Sequence, residues 1–287
     1  MKVARSVAGI LALFVVLFSL QINVSSCQKE IIKDTVRIKD TIRIRDTVRI
    51  VDSSTCSCYD LSDGLVAYYN FTGGTLNDSS GYNNNITFNN ATKTADRFGR
   101  PNNAYLFNGT SSYMKVANSA SLNPAGAITL MGIVKLNGFY GGTCHGNQIF
   151  QKGTKDQNQG VYSLRVGDVT SDCYATVDTT KERATGFYGD FGSTAGASDI
   201  TKYAHTNIWM TLVMTYDGHE SKFYVDGQLK STVAGSAVFT PNSFDLFIGR
   251  AESPEYPYWW NGIIDEMRIY NKALCEGAVK QLSSLKN

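Results

Sequence analysis

Proline, histidine and tryptophan are scarce: five, three and three in 287 residues. The histidines stand singly at 145, 205 and 219 with no Gly-x-Ser-x-Gly motif beside them, which argues against a serine-type triad. No Cys-x-x-Cys pair is present, so Cys56, Cys58 and His145 match a zinc site poorly. The longest apolar run, residues 7–20, falls short of the ~20 residues that a bilayer core requires. Charged residues make up only 18%. The basic excess is confined to the N-terminal region, and the rest is slightly acidic with no basic cluster. Nucleic acid is therefore not an expected partner, because its binding rests on releasing counterions.

What is present is 26 Gly, 14 Phe and 16 Tyr, a composition of aromatic strands joined by glycine turns. The N-terminus is different. Lys2 and Arg5 precede the apolar run, and a polar stretch then leads to Cys27, the pattern of a secretory signal peptide. Residues 24–27 (VSSC) resemble a bacterial lipobox, which implies a mature chain anchored to a membrane by lipid on Cys27. Gln28 follows rather than Asp, which in the Gram-negative sorting pattern that it resembles implies the outer membrane.

Three hexads follow, KDTVRI at 33–38, KDTIRI at 39–44 and RDTVRI at 45–50. Six is even, so Val and Ile of every copy share one face of an extended chain. Their β-branching disfavours a helix. Residues 28–60 are therefore expected to form an extended stalk, with residues 31–51 spanning about 70 Å at ~3.3 Å per residue. A lone strand with an apolar face is poorly satisfied, so homo-oligomers through this stalk are expected alongside the simpler alternative of a solvated linker. With Cys27 acylated, an odd number of cysteines remains in an oxidising compartment. Cys144 and Cys173 lie in loop-like surroundings and are expected to pair. Cys58 precedes the first domain strand and Cys275 follows the last, so these two meet if those strands are antiparallel neighbours. Cys56 is then the spare thiol, or takes the place of Cys58.

From residue 61 to 287 short aromatic and β-branched runs recur between turn signals: 65–71, 86–88, 105–107, 113–116, 128–134, 149–151, 162–166, 209–216, 222–225, 246–248 and 263–270. This spacing predicts an all-β sandwich. Asp217-Gly218 and Asp226-Gly227 supply hairpin turns, and only residues 273–282 have a helical pattern. The ordered set GLVAYYNF (64–71), LNDSSGYNN (76–84), AYLFNG (104–109), YDG (216–218), FYVDG (223–227), IGR (248–250) and GIIDEMRIYN (262–271) resembles the laminin-G-like, concanavalin A-like jelly-roll family. That resemblance implies two stacked antiparallel sheets with the first and last strands adjacent, which supports a Cys58–Cys275 pair.

Two groups of candidate site residues stand out. The 78–84 loop gathers carboxylate, amides and glycine, and Ca²⁺ favours such oxygen cages. Carried over from the family, Asp78, Asn83 and Asp265 are the candidate ligands. The alternative is an Asx-turn loop that satisfies its own backbone. The densest aromatic stretch contains Tyr256, Tyr258, Trp259 and Trp260, and sugar rings stack on exposed faces of this kind. Adjacent residues of a strand point to opposite sides, so at least one of Trp259 and Trp260 belongs to the core. Glycoside cleavage needs paired carboxylates; the Glu-x-Asp-x-Glu signature of related β-glucanases is missing, and the Asp265-Glu266 pair, which relatives without activity also carry, is read as strand-end structure or metal support. The expected function is a non-enzymatic surface lipoprotein that binds carbohydrate or an extracellular protein. An adhesive oligomeric module and a polysaccharide hydrolase or lyase are the alternatives.

Overall fold

The computed structural model describes residues 59–142, 146–154, 159–168, 182–190, 192–202 and 204–285. The chain divides after Ser53 into two units, and every described residue belongs to the second. The signal segment with Cys27, the hexad repeat, and Cys56, Cys58, Cys144 and Cys173 lie outside the described residues.

Two antiparallel sheets form an all-β jelly-roll sandwich, as expected from the strand spacing. The eight-stranded sheet runs β13 (Gln228–Ala234), β12 (Glu220–Val225), β11 (Trp209–Tyr216), β6 (Ile128–Gly138), β15 (Asn261–Tyr270), β4 (Ala104–Asn108) and β3 (Thr92–Thr94). Its remaining strand, β1 (Leu65–Tyr69), also pairs with β15, so first and last strands are neighbours. The seven-stranded sheet runs β10 (Ser193–Ser198), β9 (Glu182–Asp190), β8 (Val161–Asp168), β7 (Gly146–Lys152), β14 (Leu246–Ile248), β5 (Met114–Val116) and β2 (Ile86–Asn89).

Strand alternation sends one set of side chains between the sheets. Tyr162, Leu164 and Val166 of β8 meet Leu212, Met214 and Tyr216 of β11 in one core. Its tyrosines bury their rings and place their hydroxyls on rim carbonyls: Tyr69 donates to Asn84 O (2.6 Å), Tyr162 to Leu122 O (3.2 Å) and Tyr188 to Pro124 O (2.9 Å). This suits a residue with an apolar body and a polar tip. Burial pushes the Tyr188 phenol up to about 12, so it remains a donor at neutral pH.

Three strands escape the sequence pattern, β3, β9 and β10; β13 has no apolar run of its own but is implied by the Asp226-Gly227 hairpin turn. On β9 the inward positions include Glu182, Ala184 and Gly186, too small or polar to register as an apolar face. The small residues are required there, because a Cβ at Gly186 would lie 2.6 Å from the Met214 side chain. The β12–β13 turn is as expected, with Asp226 and Gly227 both at positive φ (51° and 76°).

The outer face of the eight-stranded sheet is covered. Helix α1 (Glu276–Ser284) lays Ala278, Val279 and Leu282 on Met131, Ile133, Val213 and Tyr224. Tyr59 N donates to Gln281 Oε1 (2.9 Å) and Gln281 Nε2 returns a bond to Tyr59 O (3.2 Å). Gly277 leaves the space that the Tyr59 ring fills. The start of the domain is thereby fixed to its last helix.

Lys152 lies opposite Tyr162, at an inward and wholly buried position. Its Nζ donates to Asn242 Oδ1 (2.5 Å), Asn123 Oδ1 (3.2 Å) and Asn242 O (3.4 Å). These acceptors are neutral, and burial pulls the ammonium from 10.5 down to about 8 against the attraction of Asp245. With its value lowered in the folded state, the unfolded chain binds more protons between about pH 8 and 10, so stability rises with pH across that window. Urea midpoints of the wild type are expected to be higher at pH 9.5 than at pH 7.5, and Lys152→Met is expected to remove most of the difference. Equal wild-type midpoints at the two pH values would contradict the assignment.

Candidate ligand-binding face

With one outer face under α1, the outer face of the seven-stranded sheet is where exposed chemistry gathers. The residues between core positions point to it: Lys115 between Met114 and Val116, Phe247 between Leu246 and Ile248, Ser163 and Arg165 flanking Leu164, and Phe187 before Tyr188. Strand register lines up Phe88, Lys115, Phe247, Gln151, Ser163, Phe187 and Gly196 as one row across all seven strands.

One end of this row is an aromatic cluster. Phe88 stacks on Tyr113 (4.6 Å between centroids), Tyr113 on Phe247 (6.0 Å), and Trp259 tilts against Tyr113 (6.1 Å). The Arg250 guanidinium lies 4.8 Å from the Trp259 ring centroid, 5.4 Å from Tyr113 and 5.5 Å from Phe247. It is held there by its own loop: Nε donates to Ala251 O (2.7 Å), and Nη2 donates to Glu252 O (3.1 Å) and Ser253 O (3.2 Å). Cation–π contacts of this kind contribute roughly 0.5–2 kcal/mol each. Phe88 is 40% exposed, and Tyr113, Phe247 and Trp259 are half-buried.

The four aromatic residues singled out in the sequence separate into three places. Trp259 joins this cluster. Trp260 is wholly buried in the core, which corrects its candidacy as a stacking residue. Tyr258 groups with Tyr256 (6.3 Å) and Tyr140 (6.5 Å, edge-on) and covers Gly146. The separation follows from the backbone, since Tyr258 adopts φ 47°, a conformation a bulky residue rarely takes. Its carbonyl accepts the Gln148 amide (2.8 Å). Phe88, Tyr113, Phe247 and Arg250 were not singled out as ligand contacts; Phe247 was legible as the odd residue between two core positions.

Two of the three proposed calcium ligands already have partners of their own. Asp78 Oδ1 accepts from the backbone amides of Tyr68 and Ser80 (both 2.9 Å), and Oδ2 accepts from Ser80 Oγ (2.7 Å) and the Asn84 amide (3.0 Å). That is the self-satisfied Asx loop. Asn83 is exposed with φ 60°. Asp265 is buried against Arg97, whose Nη1 lies 2.5 Å away; burial raises its carboxyl, with the guanidinium opposing. Its carboxylate thus already has a cation. No cluster of three metal-ligating side chains occurs among the described residues. Asp78, Asn83 and Asp265 do not fit a shared Ca²⁺ site.

Fold and face together define a lectin-like β-sandwich. The family model of the concanavalin A-like lectin/glucanases superfamily (Laminin_G_3) matches residues 108–280, more than half of the chain, and the chain belongs to that superfamily. No curated protein matches it. Among solved structures, it resembles domain 4 of AbnA, a GH43 extracellular arabinanase from Geobacillus stearothermophilus, in complex with arabinotriose. The TM-score is 0.53 at 23% identity, over 77% of this chain and 98% of that one. It also resembles the binding domain of Paraclostridial Mosquitocidal Protein 1 (TM-score 0.55, 18% identity, 78% of this chain and 52% of that one). A third likeness is the binding domain of botulinum neurotoxin DC in complex with rat synaptotagmin II (TM-score 0.56, 14% identity, 78% and 52%). The chain spans about half the length of the two toxin domains.

Because Asp78 is engaged by its own loop, Asp78→Ala is expected to cost about 1–3 kcal/mol, as several part-buried donors lose a charged acceptor. Millimolar Ca²⁺ or a chelator is expected to leave the wild-type Tm unchanged. A rise of several degrees with Ca²⁺ would restore the metal.

Proposed function

We propose that this chain is a non-enzymatic surface lipoprotein whose sandwich domain binds carbohydrate on the outer face of the seven-stranded sheet. One observation carries the proposal: the Trp259–Tyr113–Phe247–Phe88 cluster, braced by Arg250 at the edge of a polar row. Ring faces of this kind meet the C–H face of a sugar, and Lys115, in the same row, adds a half-exposed polar group. The arabinotriose complex of a domain with this fold is consistent with it. Glycoside cleavage uses two carboxylates. Asp265 and Glu266, the adjacent carboxylates of β15, are occupied by Arg97 and Arg268.

In this proposal Cys27 bears the lipid that holds the chain to the outer membrane. The hexad repeat is the stalk, and its apolar face joins copies of the chain. Among the described residues no helix is long and apolar enough to cross a membrane. Cys275 is a free, half-buried thiol in the structure. It precedes by two residues the Gly277 on which Tyr59 packs, and Tyr59 is bonded to Cys58. This proximity supports a Cys58–Cys275 disulfide in the exported protein, beside the Cys144–Cys173 pair. Thiol labelling of the unfolded, unreduced protein is expected to show one reactive cysteine, Cys56, and labelling at Cys275 would remove the pair.

For the binding face, Trp259→Ala is expected to weaken glycan binding at least tenfold in titration calorimetry with little change in Tm. Trp260→Ala is expected to destabilise the domain by about 3–5 kcal/mol through the cavity it leaves. Wild-type glycan affinity in Trp259→Ala would overturn the assignment of the face.

A further inference from the structure

The cation in the middle of the aromatic cluster is held but not neutralised. Arg250 follows β14 by two residues, and the backbone of its own loop fills one edge of its guanidinium. Nε donates to Ala251 O, and Nη2 donates to both Glu252 O and Ser253 O. These acceptors are uncharged carbonyls. They fix the plane of the group and leave Nη1, with its two N–H donors, bonded to no described residue. The side chain belongs to a half-buried residue, and Nη1, unlike Arg165 Nε, is not enclosed.

The other cation of this face shows the contrast. Lys115 pairs with Asp245 (3.2 Å), and its side chain is 39% exposed. Arg250 has no such partner: Glu252, whose charge reaches it, gives it a backbone carbonyl rather than an ion pair. Three ring centroids, of Trp259, Tyr113 and Phe247, lie 4.8–5.5 Å from its Cζ. Packing of that kind strips water from the group. Burial lowers its pKa, with Tyr113 and Glu252 opposing, but an arginine keeps its charge and its donors. A cation that has lost part of its water and has no counter-ion gains most from an anion.

Resting on the carbohydrate-binding proposal, we infer that this face takes an acidic glycan, with a sugar-borne carboxylate on Arg250 Nη1 and the sugar ring against the exposed aromatic surface beside it. Uronates and sialates both carry the carboxylate directly on a ring carbon, so charge and C–H face arrive together. The protein offers the same combination. Phe88, 40% exposed, and half-buried Tyr113 and Phe247 form a stack next to the guanidinium. A neutral hydroxyl accepting from Nη1 leaves the charge unmatched, and a hydrogen bond to an ionised partner is about twice as strong. An inorganic anion matches the charge but has no C–H face for the rings.

The test is titration calorimetry on the full-length chain with trigalacturonate and sialyllactose, each beside its carboxyl methyl ester, and with arabinotriose and cellotriose as neutral probes. At least one acid is expected to bind, with its ester at least about tenfold weaker and the gap narrowing as salt is raised. Which acid binds tells uronate from sialate. Arg250→Gln is expected to weaken the acid about 10- to 100-fold and to bring it level with the ester. The ester comparison needs no variant, so it decides the matter even where the loss of the loop brace unfolds Arg250→Gln. Equal affinity for acid and ester, binding of the neutral probes alone, or an acid preference that survives in folded Arg250→Gln would overturn the inference and leave the carbohydrate proposal standing. If no probe binds the wild type, the carbohydrate proposal falls with it.

Discussion

Strand β15 holds the domain together. It pairs along its length with β6, with β4 over its first half and with β1 over its second. The first strand of the domain therefore has no partner until the last is in place, a long-range closure that makes such sandwiches cooperative and slow to form. The ladder shifts register around Asp265, and a bulge of this kind re-aims a side chain. Asp265 and Glu266 both reach Arg97 (2.5 and 3.9 Å), Glu266 pairs with Arg268 (2.7 Å), and Arg268 lies 4.0 Å from the Tyr68 ring centroid on β1. Removing one member of such a buried network strands the others, a loss of about 3–5 kcal/mol. A carboxylate pair that could be mistaken for catalytic or metal-binding groups instead locks the central strand to its neighbours.

The two outer faces of the sandwich have opposite fates. On the eight-stranded sheet, outward Met131, Ile133, Val213 and Tyr224 are apolar and draw in helix α1. On the seven-stranded sheet the outward row mixes Phe and Lys with Gln and Ser. Rings stack laterally on one another and on Arg250, and polar groups lie between them. A face of that composition is stable in water yet keeps ring surface available. The asymmetry decides where a ligand can be held before any single contact is considered.

Much of this was legible in the sequence. Strands rich in β-branched and aromatic residues, the Asp-Gly turns and the order of motifs gave the two-sheet architecture. Strands β9 and β10 escaped because their inward positions are small: Gly186 must yield to Met214, and Ala195 and Ala197 offer little apolar signal. The site was half legible. Residues 256–260 announce themselves by aromatic density, yet their division among cluster, core and the Gly146 cover depends on the turn at Tyr258, which composition does not encode. The likeness to the family placed calcium at Asp78 and Asp265. It did not reveal that Arg97, 168 residues from Asp265 in sequence, brings a guanidinium to that carboxylate. Non-local partners of this sort are invisible to spacing.

Alternation also explains how one scaffold can carry different ligands. Apart from β7, where a register shift sends the adjacent Ile149 and Phe150 both into the core, strands of the seven-stranded sheet alternate core and outward residues. The packing that fixes the fold and the chemistry that meets a ligand are thus written in interleaved positions of the same segment. Leu246 and Ile248 belong to the first set, Phe247 to the second; Leu164 and Val166 to the first, Arg165 to the second. Exchange of an outward residue leaves the inward volume untouched, so recognition can change without repacking. The limit is electrostatic rather than steric. An outward group enclosed by its neighbours, as Gln148 is, must be satisfied by protein, water or ligand. The Gln148 amide nitrogen finds such partners within the fold, at Phe150 O and Ser163 Oγ.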